Sequence, residues 1–234
     1  MAASLAAKGL GLSEANNTQG LGLGDLFTRE GGALRPRLKR LEVPVRAFVA
    51  PVVSREAVRK LHAATTRYIA SLVPSDGVWL QDPQAYHTTV FHASTHQHPV
   101  PAATAEVDAE AGAALRALRP LCPVFAVLDR VVATPGGAVL ACWQVVPGST
   151  EPRHTVSNLD ILHTTLARLV TVPGPEASLA GAERLAAAAA AMTRELCGLE
   201  TRFDRLWFVE EHELLALALD GAMEKRTLPL TCET

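Results

Sequence analysis

Neither sign of charge dominates this 234-residue chain, in which 22 Lys and Arg face 24 Asp and Glu for a formal net charge of −2. So balanced a surface does not wrap long double-stranded nucleic acid, because that mode needs a Lys/Arg surplus to neutralise phosphates. A small anion, or the end of a nucleic acid strand, is still a suitable ligand. Long apolar runs are missing as well. A bilayer span takes roughly 20 uncharged residues, and the longest candidate, the Ala tract Leu185–Met192, is far shorter. Cysteine is sparse. Cys122, Cys142, Cys197 and Cys232 lie far apart with no CxxC pair, which excludes a paired-thiol metal clamp and a densely stapled secreted domain. They read as reduced thiols of an intracellular protein, cytoplasmic in the simplest case.

What remains is an ordinary globular composition, 48% hydrophobic and 20% charged, at a length suited to one core with an extension. Residues 1–43 stand apart. They repeat Gly-Leu without a helical or strand period and end in the basic cluster RPRLKR, so they read as a disordered tail. The first thirteen residues hold a Lys and no acid, a weak echo of an organellar targeting segment, but Glu14, Asp25 and Glu30 count against it. Residues 44–234 then form a single domain.

Within it, RAFVAPVV from Arg46 reads as a strand, and Ser54 stands at an N-cap before a helix over 55–72 with Leu61, Ala64 and Tyr68 at helical spacing. Val78–Leu80 and Ala85–Phe91 are strand candidates broken at Asp82-Pro83. A helix over 104–118 precedes two strands joined around Pro135-Gly136-Gly137, a hairpin signal. The polar loop PGSTEPRHTVSN, the strand LDILHTTLARLV, an Ala-rich helix over 176–199 and a final strand from FDRLWFV complete the order, while ELLALAL fits strand or helix. This mixture, without the Gly-rich turn of a dinucleotide fold, predicts an α+β protein with largely antiparallel sheet.

The chain carries one string twice: His87-Thr88-Thr89-Val90 and His163-Thr164-Thr165-Leu166. Alternate side chains of a strand share a face. His87, Thr89 and Phe91 therefore point one way, and His163 and Thr165 pair likewise. Each string delivers an imidazole that titrates near neutral pH and a short, stiff hydroxyl donor to one side of a sheet. Two such strands side by side offer two imidazoles and two hydroxyls to one phosphate, with one histidine taking a proton from water and the other giving one to the departing oxygen. That chemistry requires no metal and no cofactor. Spacing alone is weak evidence, since His92-Ala93-Ser94 repeats it on the opposite face; the identical tripeptides and their apolar settings give it weight.

These two strings, roughly 75 residues apart, resemble the paired His-x-Thr-aliphatic motifs of the 2H phosphoesterase superfamily, which includes the 2′-5′ RNA ligase-like proteins and the cyclic phosphodiesterases. HTTLAR at 163–168 is similar to the second motif of the ligase-like members, and RAFVAPVV with its helix resembles their opening elements. The resemblance implies a two-lobed, pseudo-symmetric α+β fold, mainly antiparallel, with helices outside and a central cleft. It implies a metal-independent phosphodiesterase opening 2′,3′-cyclic phosphates of a small nucleotide or an RNA 3′ end, with ligase-like chemistry a further possibility and a monomer the expected form. His87 and His163 become the acid–base pair, in an order the sequence leaves open. Thr89 and Thr165 become phosphate binders. The chain departs from the pattern in the short polar link before the second motif and in the long Ala-rich helix after it, changes that reshape the cleft rim.

Other residues carry weaker signals. Tyr86, Phe91, Trp79 and Trp143 are candidates to stack a base, with Phe91, on the His87 face, the best of them. Arg168 falls by strict alternation on the face opposite His163 and reads as a surface or interlobe ion pair. His92, His96 and His98 lack a carboxylate or thiol to complete a metal set. His154 precedes a polar loop and reads as solvated. A rival to the enzyme is a binding module that holds a nucleotide or RNA end in the same cleft without turnover.

Overall fold

A computed structural model describes residues 21, 23–134, 136–146, 162–170 and 175–233. The polar loop from Pro147, His154 within it and most of the first twenty-two residues lie outside the described residues. In chain order the elements are α1 (Leu23–Leu26), β1 (Phe27–Glu30), β2 (Ala33–Pro36), β3 (Arg40–Pro51), α2 (Arg55–Tyr68), β4 (Val78–Leu80), β5 (His87–Ser94) and α3 (Thr104–Leu118). They continue with β6 (Val124–Ala133), β7 (Ala138–Val145), β8 (Leu162–Leu169), α4 (Pro175–Leu196), β9 (Glu200–Phe203), β10 (Arg205–Glu213), α5 (Ala216–Leu219) and β11 (Met223–Pro229). The fold is α+β. Among the described residues no helix is long and apolar enough to cross a membrane.

One curled nine-stranded sheet runs β11-β10-β3-β5-β8-β7-β6-β9, with β4 pairing β8 alongside, and its strand pairs are antiparallel. Along that path it divides into two halves of equal strand number that meet where β5 lies beside β8. The three longer helices cover one face. Ser54 Oγ accepts the Ala57 N–H at 3.3 Å and starts α2, as the sequence predicts. Ala57, Leu61 and Ala64 of α2 then meet Ala182, Leu185, Ala189, Met192 and Leu196 of α4, whose spacing of three and four residues makes one apolar stripe. Both pack onto Leu128, Val139, Trp143, Leu166 and Ala167 of the second half-sheet. Val107 and Ala111 of α3 cover Phe48, Phe208 and Leu228 of the first half.

Two expectations are corrected. Residues 23–43 are not a tail: Leu26 and Phe27 are 2% and 4% exposed, packed with Val170, Leu214 and Leu219 behind a β1–β2 hairpin. Leu21, Leu26 and Phe27 had buried partners that no local period reveals. The cysteines are not all thiols either, because Cys122 and Cys232 form a disulfide across 110 residues, leaving Cys142 and Cys197 free. Their distance in sequence hid a contact made by the C-terminal segment, where Cys232 N–H bonds the Leu121 carbonyl at 3.2 Å.

The ambiguous ELLALAL segment resolves as the end of β10 and the short turn α5, bounded by Leu215 and Asp220 in the left-handed region at φ 54° and 58°. Leu217 lies against Ala47, Val49 and Val209 on the sheet face opposite the three longer helices. Trp79 Nε1 and Gln81 Nε2 donate to the Ala218 and Leu217 carbonyls at 3.1 and 3.2 Å. Glu211 Oε1 accepts the Leu217 N–H at 2.6 Å, and burial raises its carboxyl to about 7.

An acid with a raised folded pKa contributes stability that is full below its unfolded value and lost as pH rises through the folded one. Glu211→Gln keeps the acceptor and removes the charge. We expect denaturant unfolding to show little gain at about pH 4 and a gain of about 1–3 kcal/mol at about pH 8, discounted for partial exposure. Equal stability of the two proteins at the higher pH would refute this account of Glu211.

Candidate active site

The two half-sheets meet through the middle threonines of the repeated strings. Thr88 of β5 and Thr164 of β8 are register partners, both essentially buried at 1% and 0% exposure. Their hydroxyl oxygens lie 3.3 Å apart, and Trp143 Nε1 donates to Thr164 Oγ1 at 2.9 Å. Side chains that point into the helix-covered face leave their neighbours pointing out of the other one. His87 and Thr89, and His163 and Thr165, therefore share the open face. The antiparallel register sets His87 beside Thr165 and Thr89 beside His163. Such a diagonal separates the two histidine Cβ atoms by about 7–8 Å, room for a phosphate between the rings. The electrostatic repulsion felt by His87 from His163 agrees with that proximity.

Each strand then breaks its alternation at the same place. The β3–β5 register shifts between Phe48 and Val49, opposite Phe91 and Thr89, so Val90 is the extra residue of a β-bulge. The β7–β8 register shifts between Val139 and Leu140, opposite Ala167 and Thr165, so Leu166 is extra. The aliphatic residue ending each string is thus the bulged one. A bulge reverses the facing of everything after it. Phe91 moves to the helix-covered face, where its ring lies 6.2 Å from that of Phe48, and it is 58% exposed. The expectation that Phe91 joins His87 is therefore corrected. Tyr86 and Trp143 are core, at 1% and 3% exposure, and Trp79 is spent on the Ala218 carbonyl.

The same reversal brings in two residues that alternation had sent away. His92 pairs with Ala47 on β3, on the face of Val49 and its partner Thr89. Arg168 pairs with Ala138 on β7, on the face of Leu140 and its partner Thr165. Both act electrostatically on His87. Arg168 is not the ion pair expected of it: among the described residues it has no salt bridge, and its Nε is sealed from solvent without a hydrogen-bond partner. Burial lowers its pKa, as expected of a cation without a counter-charge. A largely buried guanidinium with no ion pair among the described residues, close enough to act on the His87 imidazole, has the chemistry to receive an anion. The signal available in sequence was the five-residue offset from each histidine, unreadable without the bulges.

His87 has a defined electronic state. Its Nδ1 lies 2.7 Å from the Ala85 carbonyl, an acceptor only, so Nδ1 carries the proton and Nε2 is the basic nitrogen. Burial, against that hydrogen bond and with repulsion from His163, Arg168 and His92, lowers its pKa to about 4. A neutral imidazole with an unprotonated Nε2 is a proton acceptor throughout the physiological range. Among the described residues no three His, Cys, Asp or Glu side chains are grouped to hold a metal ion.

No known family's sequence profile matches the chain, and no curated protein matches it. Its fold does have solved counterparts. The chain is similar to the protein TT0787 of Thermus thermophilus, with a TM-score of 0.52 and 16% identity over 80% of this chain and 97% of that one. It is also similar to the conserved protein of unknown function ATU0111 from Agrobacterium tumefaciens, with a TM-score of 0.50 and 13% identity over 80% and 86% of the two chains. At such identities the likeness is one of fold.

Removing an unpaired buried charge relieves its desolvation cost. Arg168→Met should raise the free energy of unfolding by about 1–3 kcal/mol without added anion; sulfate is expected to raise the Tm of the unaltered protein, and the variant should lose that rise. A destabilised Arg168→Met protein that still responds to sulfate would contradict this assignment.

Proposed function

We propose that this protein is a phosphodiesterase of the 2H phosphoesterase type that opens 2′,3′-cyclic phosphates of a small nucleotide or an RNA 3′ end. The observation that carries the reading is the Thr88–Thr164 register pair, which sets both His-x-Thr units on one sheet face beside the unpaired Arg168. A ring phosphate seated there lies between the two imidazoles. Thr89 and Thr165 hydroxyls donate to its non-bridging oxygens, and Arg168 offsets its charge.

The proton path follows from the tautomer of His87. Its Nε2 takes a proton from water as the water oxygen bonds to phosphorus. His163 gives a proton to the ribose oxygen as the ring P–O bond breaks. The products are a phosphomonoester and a free hydroxyl, and the two histidines have exchanged protonation states. Each such proton transfer contributes roughly 10²–10⁴-fold to the rate. The chain's own residues supply acid, base and anion contacts, so the scheme calls on no metal.

Turnover of adenosine 2′,3′-cyclic phosphate is expected to persist in EDTA. His87→Ala and His163→Ala should each reduce kcat by roughly 10²–10⁴-fold. Because the base is held neutral, the acid limb of the kcat/KM profile should lie near about 4, the value of His87, well below the range of an ordinary histidine. Tight binding of adenosine 2′-phosphate without turnover of any cyclic nucleotide would replace the enzyme with the binding module, and full activity in both alanine variants would discard the reading.

A further inference from the structure

We propose that His92 is a substrate-binding residue, a second anion contact that selects a cyclic phosphate at the end of an oligonucleotide over a single nucleotide. The inference rests on the function proposed above and names its substrate class. β5 and β8 run antiparallel about the Thr88–Thr164 pair, so His92 and Arg168, each five residues beyond its histidine and each beyond its bulge, lie on opposite sides of that pair. Strand rise puts each roughly 10 Å along its strand from the shared centre. Arg168, sealed at Nε and acting on His87, belongs with the reacting phosphate. His92 occupies the corresponding position toward the other end of the open face and is itself exposed. A chain of phosphodiesters entering from that end carries its next charge past His92. A lone nucleoside cyclic phosphate has no charge to offer there.

The groups around His92 make this contact dependent on pH. His87 faces it from its own strand and His96 from the loop that follows; His96 repels its charged form, while His87 is neutral down to about pH 4. Its β3 partner is the neutral Ala47, while neighbouring Arg46 turns to the other face and binds Glu110 at 3.0 Å. On β10 the nearest acid of the open face is Glu211, occupied by the Leu217 N–H. Across the junction stand His163 and Arg168 on β8. Burial, then His96, lower the pKa of His92, so in the free protein the imidazole is neutral at physiological pH. An anion bound against it favours the protonated form. Affinity for that anion is therefore highest at low pH and is lost as pH rises through the pKa in the complex.

The test compares two inert product-like probes, adenosine 2′-phosphate and an adenylyl-adenosine dinucleotide ending in a 2′-phosphate. They share the titrating terminal phosphate and differ by one adenosine joined through a phosphodiester whose charge does not change with pH, so the added nucleoside contributes a pH-independent part that His92→Ala retains. By titration calorimetry the dinucleotide should bind about tenfold more tightly than the mononucleotide at about pH 5.5, and that advantage should shrink to near the His92→Ala value at about pH 8. His92→Ala should lack the pH-dependent advantage at both values, and His92→Arg, which copies the chemistry of Arg168, should keep it at both. A ratio of affinities that does not vary with pH, or that is the same in His92→Ala and the unaltered protein, overturns the role of His92 and leaves the phosphate cleft standing. Failure of both probes to bind overturns the cleft and this inference together.

Discussion

The contact between Thr88 and Thr164 organises everything else in this protein. It joins two half-sheets whose remaining strands pair only within their own half, and it lies on the buried face with Trp143 as its third member. Buried hydroxyls that satisfy one another are costly to separate, because each would be left without water or partner. The pair therefore fixes the register of β5 against β8. That register alone decides that two histidines 76 residues apart in the chain become diagonal neighbours. The site is held by residues that point away from it.

The bulges are the second constraint. Without them, strict alternation would put the apolar Phe91 into the cleft and turn Arg168 onto the buried face. With Val90 and Leu166 as extra residues ahead of them, His92 and Arg168 join the open face, so the strands deliver three polar side chains each to it: His87, Thr89 and His92, and His163, Thr165 and Arg168. The repetition of the bulge at the same position of both strings is the structural form of the internal symmetry that the sequence shows as four letters. The symmetry is broken chemically at the last position, where one half carries an arginine and the other a histidine whose pKa is lowered by partial desolvation of its ring. A pair of like positions with unlike charge gives a cleft two distinguishable ends.

Burial sets the protonation of the site. His87 is pushed down to about 4 chiefly because its charged form is poorly solvated, and its Nδ1 proton is fixed by the Ala85 carbonyl. The same low polarity surrounds Arg168, whose charge has no counter-charge among the described residues. Polar groups left unsatisfied in the folded chain are a cost to stability, and they are tolerated where ligand binding returns it. The disulfide between Cys122 and Cys232, and the α5 turn held by Trp79, Gln81 and Glu211, tie down the ends of the chain around this arrangement.

The sequence by itself determined the α+β class, the helices α2, α3 and α4 and the strand character of both strings, because periodicity and capping act over a few neighbouring residues: Ser54 starts α2, and the stripe from Ala182 to Leu196 buries one side of α4. It also determined that His87, Thr89, His163 and Thr165 share a face pairwise. Tertiary structure decided the rest. A bulge is a mismatch between two paired strands and cannot be read from either one, so the facing of Phe91, His92 and Arg168 was set only when β5 met β3 and β8 met β7. The same holds for Leu26 and Phe27, which meet Val170, Leu214 and Leu219, and for the Cys122–Cys232 bond, contacts made across more than a hundred residues. Local chemistry chose the elements, and long-range register chose which side chains meet.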